Sequence, residues 1–180
     1  MLHIVVPERE TFDETTSTFH TIKETKLTLE HSLVSISKWE SKWEKPFLSS
    51  KDKTKDELLD YIRCMTLTQN VDPYVYYGLS QKNLDDVVTY INAKMTATTF
   101  REDESKPKNR EIITSELIYY WMFSFNIPIE CQKWHINRLL TLINVCNEKN
   151  KPPKKMSQRE IMARNNRLNQ QRRAKYHTRG

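Results

Sequence analysis

Cys131 and His135 stand four positions apart in the segment ECQKWHINRLLTLINVC, residues 130 to 146. On an α-helix this spacing puts two side chains on one face, where a thiolate and an imidazole could begin a metal site. A zinc site needs four ligands, and no second close pair of ligands is present. Cys146 lies eleven positions beyond His135, about 16 Å further along such a helix. The spacing therefore favours buried thiols and a hydrogen-bonded histidine. We expect no metal and no cofactor.

The chain carries no recognisable catalytic motif. No nucleophile elbow, triad signature or helix N-terminus aimed at a thiol accompanies the cysteines. With two glycines, Gly78 and Gly180, the chain lacks a glycine-rich loop that could hold a phosphate group. The acidic pair Asp85 and Asp86 falls on the exposed face of a predicted helix. We therefore expect no enzymatic activity, and the weaker alternative is a small enzyme that uses the cysteine and histidine above.

Two tryptophans, Trp39 and Trp43, lie at i and i+4 in SKWESKWEKPF, a segment otherwise rich in lysine and glutamate. A helix there presents both rings on one side. That side faces either the core or a partner protein, since tryptophan is enriched at binding hot spots. The sequence leaves these two alternatives open. The other aromatic residues are interleaved with apolar residues at core spacing, which favours packing over base stacking.

The basic residues concentrate at the end of the chain. Residues 151–180 hold ten Lys and Arg and one acidic residue, a net charge of +9, whereas residues 1–150 carry −3. Such a segment binds nucleic acid nonspecifically, or becomes ordered on an acidic protein surface. We favour the protein surface, because the negative remainder of the chain repels a phosphate backbone. The predicted partner contacts are Lys154, Lys155, Arg159, Arg164, Arg167, Arg172 and Arg173.

The first 30 residues have the pattern of extended chain. LHIVV, residues 2–6, is a β-branched run, and TFHTIKETKLTLE, residues 18–30, alternates apolar and polar positions. Both predict short strands or extended arms. From His31 the apolar period becomes helical, and this helix is predicted to end at Lys45, before Pro46.

Two further amphipathic helices follow on a shared core. Thr54 and Glu57 form a capping box before the first, and Ser80 caps the second. The predicted buried residues are Leu58, Leu59, Ile62 and Met65 in the first helix, and Leu84, Val87, Val88 and Ile91 in the second.

The second half of the chain predicts three more helices. Residues 114–126 are apolar on nearly all sides, which predicts a central buried helix. Residues 128–150 predict one continuous helix with a core stripe that begins at Ile129. After a proline interruption, Ser157 and Glu160 cap a last, polar helix. Residues 101–111 are charged throughout and predict a solvated loop.

These patterns predict a mainly α protein. We expect a single compact helical domain with short N-terminal strands or an extended arm and a basic C-terminal helical arm. The predicted boundaries are residues 1–30, 31–150 and 151–180. No run of about 18 apolar residues and no signal-peptide pattern is present, which predicts a soluble cytoplasmic protein without a membrane partner. Three scattered cysteines fit free thiols better than disulfides.

Several segments carry a resemblance to a known family: LTLEHSLVSISKWESKWEKPFL (27–48), DYIRCMT (60–66), ITSELIYYWM (113–122), IPIECQKWHINRLLTLINVCNEKN (127–150) and the following PPKKMS. In this order they resemble a family of small proteins encoded by tailed bacteriophages among the genes for virion and tail morphogenesis. The resemblance implies a tail assembly chaperone, or a minor tail or baseplate component. It implies phage structural or tail proteins as partners, and the host cytoplasm during assembly or the virion as the location.

Overall fold

The structure is a computed structural model that describes residues 1–13, 18–50, 52–100, 111–151 and 157–177. The chain divides into two compact units, Met1–Cys146 and Asn147–Gly180. The described hydrophobic residues that are buried all belong to the first unit. Within the described ranges, every helix is too short or too polar to span a lipid bilayer.

The described residues form four β-strands and six α-helices. The strands are β1 (Leu2–Val6), β2 (Arg9–Asp13), β3 (Thr18–Ile22) and β4 (Thr25–Leu29). The helices are α1 (Leu33–Trp43), α2 (Lys55–Met65), α3 (Gln81–Ile91), α4 (Ser115–Ser124), α5 (Ile136–Asn150) and α6 (Gln158–Tyr176). Short 3-10 turns occupy Pro73–Gly78 and Ile129–Lys133. The mainly α prediction is confirmed.

The strands form two antiparallel pairs in a nested order. β1 pairs with β4, and β2 pairs with β3. Alternate residues of the outer pair are buried, namely Ile4, Val6, Leu27 and Leu29. The strands predicted in residues 2–6 and 18–30 are confirmed. β2 was not predicted, because its sequence RETFD shows no apolar alternation.

The helix α1 is the centre of the first unit. It contacts α2, α4 and the 3-10 turn Ile129–Lys133. Its apolar face is fully buried at Leu33, Ile36 and Trp39, and burial of each such side chain stabilises the fold by about 1.5–3 kcal/mol. The helix ends at Trp43, before the predicted Lys45, because Glu44 adopts a left-handed conformation with φ 53°.

The capping residues predicted for α2 and α3 are confirmed. The Thr54 hydroxyl accepts a hydrogen bond from the backbone N–H of Glu57, whose carboxylate accepts one from the backbone N–H of Thr54. The Ser80 hydroxyl accepts a hydrogen bond from the backbone N–H of Asn83. These bonds satisfy N–H groups that have no partner inside the first turn of each helix.

The buried faces of α2 and α3 differ from the prediction. Leu58 is 47% exposed and Val88 is 56% exposed, although the apolar pattern places both in the core. The buried side of α2 instead includes Glu57 and Asp60. Each carboxylate lies 2.5 Å from a lysine ammonium of the α1 region. Because ion pairs hold these acidic groups against α1, α2 is rotated away from the orientation that hydrophobicity alone predicts.

The prediction that α4 is the central buried helix is wrong. Ile118 and Met122 are fully buried, but Tyr120 is 65% exposed and Phe123 is 64% exposed. A helix that packs on one side buries one face only, whatever the composition of the other face. Ile129, predicted to begin the core stripe of the next helix, is also 43% exposed.

The helix predicted for residues 128–150 is two elements. A 3-10 turn covers Ile129–Lys133, and α5 begins only at Ile136. Between them His135 forms an antiparallel bridge with the start of α1, and the Ile136 N–H donates to the His31 carbonyl at 2.8 Å. The helix is interrupted because this N–H bonds across the molecule instead of to the preceding turn.

The second unit contains α6. Ser157 and Glu160 form the predicted capping box, and every described side chain from 157 to 177 is exposed. The proline interruption predicted at residues 152–153 lies outside the described residues, as does the predicted charged loop apart from Glu111.

Glu40 is a buried carboxylate on α1 that holds two other segments in place. One oxygen accepts a hydrogen bond from the Phe47 N–H and the other accepts one from the Ser115 N–H, both at 2.7 Å. Ser115 is the first residue of α4, where the N–H groups lack intrahelical partners and a negative charge is favoured. One side chain therefore joins α1, the segment after it and the start of α4.

We expect Glu40→Ala to lower the free energy of unfolding by about 3 kcal/mol, because it leaves two buried N–H groups without an acceptor. Urea unfolding followed by circular dichroism measures this loss. The matched control is Glu24→Ala at an exposed position between β3 and β4, which should change stability by less than about 0.5 kcal/mol. Equal losses in the two variants would contradict the role of Glu40.

Candidate functional site

A cluster of buried polar side chains connects the starts of α1 and α5. The His31 Nδ1 and the Tyr61 hydroxyl share a hydrogen bond. The His135 Nε2–H donates to the Tyr90 carbonyl at 3.0 Å, and the Tyr90 hydroxyl donates to a Glu30 carboxylate oxygen at 2.7 Å. The two imidazole rings meet edge to face at 5.1 Å between centroids. Every member of the cluster is buried.

The protonation states of this cluster are set by burial. Burial, together with the neighbouring His135, lowers the pKa of His31 from 6.5 to about 3. Burial also lowers the pKa of His135, although its bond to the Tyr90 carbonyl opposes the shift. Burial raises the pKa of the Tyr61 and Tyr90 hydroxyls. The histidines and tyrosines are therefore neutral at physiological pH and serve as hydrogen-bonding groups.

Cys131 and His135 do not share an α-helix, so the geometric premise of the two-ligand site is wrong. Cys131 lies in the 3-10 turn, and His135 follows it in extended chain. Both nitrogens of His135 have partners, since Nδ1 accepts from the Asn137 N–H at 3.3 Å. Across the described ranges, no group of three or more His, Cys, Asp and Glu side chains is placed to hold a metal ion.

The tryptophan pair does not form an exposed partner surface. Trp39 is fully buried, and its indole N–H donates to the Glu57 carbonyl at 2.8 Å. Trp43 is partly buried, and its indole N–H donates to the Asp60 carboxylate at 2.8 Å. The core alternative is therefore correct for Trp39, and the prediction that it contacts a partner is wrong. Trp43 contributes to the contact between α1 and α2.

The structure describes five of the seven basic residues that were predicted to contact a partner. Lys154 and Lys155 lie outside the described residues. The remaining five lie on α6 with exposed side chains: Arg159, Arg164, Arg167, Arg172 and Arg173. At about 100° per residue, these arginines are distributed around the whole circumference of the helix. The helix therefore presents positive charge in every direction.

The sequence interpretation missed an exposed aromatic face on α4, which we define as Tyr120 and Phe123. The two residues are three positions apart and therefore neighbours on the helix surface. Ile118 and Met122 anchor the opposite side of the same helix in the core. The signal for this face was the excess of large apolar residues in SELIYYWMFS, which is more than one packed face can bury.

Comparisons of the chain with family models, curated proteins and solved structures found no match.

We expect stability to fall as the pH is lowered from 7 to 5. The unfolded chain binds a proton at His31 with a pKa near 6.5, whereas the folded chain binds it only near pH 3. The unfolded state therefore binds more protons in this interval. Stability should fall by about 1.4 kcal/mol per pH unit for each buried histidine below the unfolded pKa. Urea unfolding at several pH values measures the slope.

NMR titration of the imidazole carbons identifies the group responsible. The His31 resonance should stay in its neutral position between pH 7 and 5. A His31 resonance that titrates near pH 6.5, or a stability profile that is flat from pH 7 to 5, would contradict this expectation.

Proposed function

We propose that the chain is a bacteriophage morphogenesis protein that acts through protein–protein contacts, either in tail assembly or as a minor virion component, and that it performs no catalysis. The observation that carries the proposal is the exposed aromatic face of α4. The resemblance of the sequence to small proteins of tailed phages supplies the biological setting. The proposed location is the host cytoplasm during assembly, or the virion.

The aromatic face has the chemistry of a protein interface. Tyr120 and Phe123 are each about two-thirds exposed. Aromatic residues are enriched at interfaces, and a buried aromatic ring removes about 150–250 Å² of surface from water. The Glu40 bond to the first residue of α4, together with buried Ile118 and Met122, fixes this helix. A partner therefore meets a face that loses little conformational entropy on binding.

The basic helix α6 supports a second contact with the same kind of partner. None of its side chains is buried, and its apolar residues Ile161, Met162 and Leu168 are all exposed. Such a segment gains stability from a complementary surface. The proposed surface is acidic and belongs to a phage structural or tail protein. The net charge of −3 on residues 1–150 opposes the approach of nucleic acid.

Nucleic-acid binding by α6 is the second candidate function, and one observation favours it. The five arginines surround the helix, and its other polar residues include three asparagines and three glutamines. A helix lying in a nucleic-acid groove meets phosphates on both sides, and Arg, Asn and Gln are the side chains that contact phosphates and base edges. A flat acidic surface would contact only one side of the helix.

The aromatic face is tested with Tyr120→Ala combined with Phe123→Ala. We expect the variant to remain folded and to lose at least about 2 kcal/mol of partner binding, as interface aromatics typically do. The measurement is the amount of this chain in purified phage particles and tail intermediates after complementation. The matched control, Tyr77→Ala, removes an aromatic ring that is 55% exposed elsewhere. Equal incorporation of both variants would contradict the proposal.

The partner of α6 is tested by truncation after Asn150. The truncated chain should keep its melting temperature, because α6 buries no side chain, but it should fail to enter particles. Full-length protein should bind double-stranded DNA only at low salt. The opposite result, binding at physiological salt with a log–log salt slope near −5, would favour nucleic acid, since the slope is about −0.9 for each neutralised phosphate.

A further inference from the structure

A cleft opens in the first unit between α2, α3 and the start of α5. Its volume is about 400 Å³, within the range of ligand-binding cavities. Leu58 and Val88, the two residues that hydrophobic patterning wrongly assigns to the core, lie on its walls. Phe47, Leu48 and Ile91 complete the apolar lining. The exposed apolar residues of α2 and α3 therefore belong to one concave surface.

One wall of the cleft contains a buried polar group, the His31 imidazole. His31 is 2% exposed, and its Nδ1 is bonded to Tyr61. The second ring nitrogen, Nε2, can donate or accept a hydrogen bond according to the tautomer, so the imidazole can bond to a polar group that enters the cleft.

Asn92 and Asn137 add acceptors to the same cleft. The Asn92 amide NH₂ donates to the Val88 carbonyl at 2.9 Å. The Asn137 NH₂ donates to the carbonyls of Ile91 at 3.1 Å and Ala93 at 2.9 Å. Both amide groups use their donors on the backbone at the end of α3, which leaves their oxygens as acceptors. The cleft therefore matches a ligand that has both donors and acceptors, as a peptide group has.

Lys53 places a positively charged side chain in the lining of the cleft. Its ammonium lies 4.4 Å from the centroid of the Phe47 ring and donates to the Ser50 carbonyl at 2.6 Å. Burial lowers the pKa of Lys53, although the charge of Glu57 opposes the shift. The Glu57 carboxylate is itself bonded to Lys45. An incoming anion would therefore meet a partly desolvated cation whose neighbouring acid already has a partner.

We propose that this cleft binds a peptide segment of a partner protein that inserts an aliphatic side chain between Leu58 and Val88 and places an adjacent carboxylate on Lys53. The peptide backbone meets the His31 imidazole and the two asparagine amides. This inference rests on the proposed function, because it describes the chemistry of a protein partner. The aliphatic side chain fills the apolar part of the cleft, and the carboxylate gives the segment its orientation.

The test is an NMR titration of the isolated full-length chain with three short peptides. The probe is N-acetyl-leucyl-aspartyl amide. N-acetyl-leucyl-asparaginyl amide removes only the charge, and N-acetyl-alanyl-aspartyl amide removes most of the aliphatic side chain. The methyl resonances of Leu58 and Val88 should shift with the probe, and each control peptide should bind about tenfold more weakly.

Variants then assign the contacts. Lys53→Met keeps the apolar stem of the side chain and should abolish the preference for aspartate over asparagine, whereas Lys53→Arg should retain it. Leu58→Asn with Val88→Asn should abolish binding. The matched control is Leu67→Asn, at a residue that is 51% exposed and not part of the cleft. All four positions are at least partly exposed, so the variants should fold.

The outcomes separate this inference from the proposed function. Equal binding of the charged and neutral leucyl peptides, an unchanged preference in Lys53→Met, or shifts confined to other parts of the chain would overturn the cleft assignment. None of these results depends on phage particles. The particle experiments with the aromatic face of α4 fail or succeed independently, because neither Tyr120 nor Phe123 lines the cleft.

Discussion

The buried carboxylate of Glu40 is the constraint on which the arrangement of the first unit depends. It lies on the central helix α1, and its two oxygens accept hydrogen bonds from the backbone of Phe47 and Ser115. Phe47 is thereby placed against Trp39 and Tyr61, with ring centroids 5.1 Å and 3.9 Å away. Because a buried charge must have partners, this position couples the core aromatic cluster to the start of α4. The exposed face of α4 is consequently held in part by a bond made at the N-terminus of the helix.

The ion pairs and hydrogen bonds of buried polar side chains also determine which apolar residues stay outside the core. Glu57 and Asp60 face α1 because lysines and the Trp43 indole satisfy their oxygens. Their burial turns α2 so that Leu58 faces the cleft instead of the core. Near the cleft, the Ile136 N–H donates to the His31 carbonyl and so connects the starts of α1 and α5, and the His135 side chain donates to the Tyr90 carbonyl on α3. The interior is therefore organised by directional bonds as much as by apolar contact.

The first unit combines a neutral, hydrogen-bonded histidine and tyrosine cluster with two accessible surfaces. The buried histidines and tyrosines at its centre are neutral and hydrogen-bonded. Cys64 has a pKa raised by burial, which opposes a nucleophilic role. The two described surfaces accessible to a partner are the aromatic face on α4 and the cleft, whose lining contains apolar residues and one lysine. In the second unit, α6 presents a mainly basic, fully exposed surface. The proposed binding function rests on these surfaces.

The sequence by itself determined the mainly α class, three of the four strands, the caps at Thr54, Ser80 and Ser157, and the concentration of positive charge after residue 150. These features depend on neighbours in the chain, and local hydrogen bonds and alternation encode them. Tertiary structure alone decided that Trp39 is buried in the core and that the helix predicted from residue 128 begins at Ile136. It also decided which large apolar side chains are exposed, namely Leu58, Val88, Tyr120 and Phe123. Several of these features depend on a bond to a distant segment: Glu57 and Asp60 to lysines of the α1 region, Ser115 to Glu40, and Ile136 to His31. The apolar periodicity of a segment shows how apolar each face of a helix or strand is. It does not show which distant polar group will form a hydrogen bond or ion pair at that face.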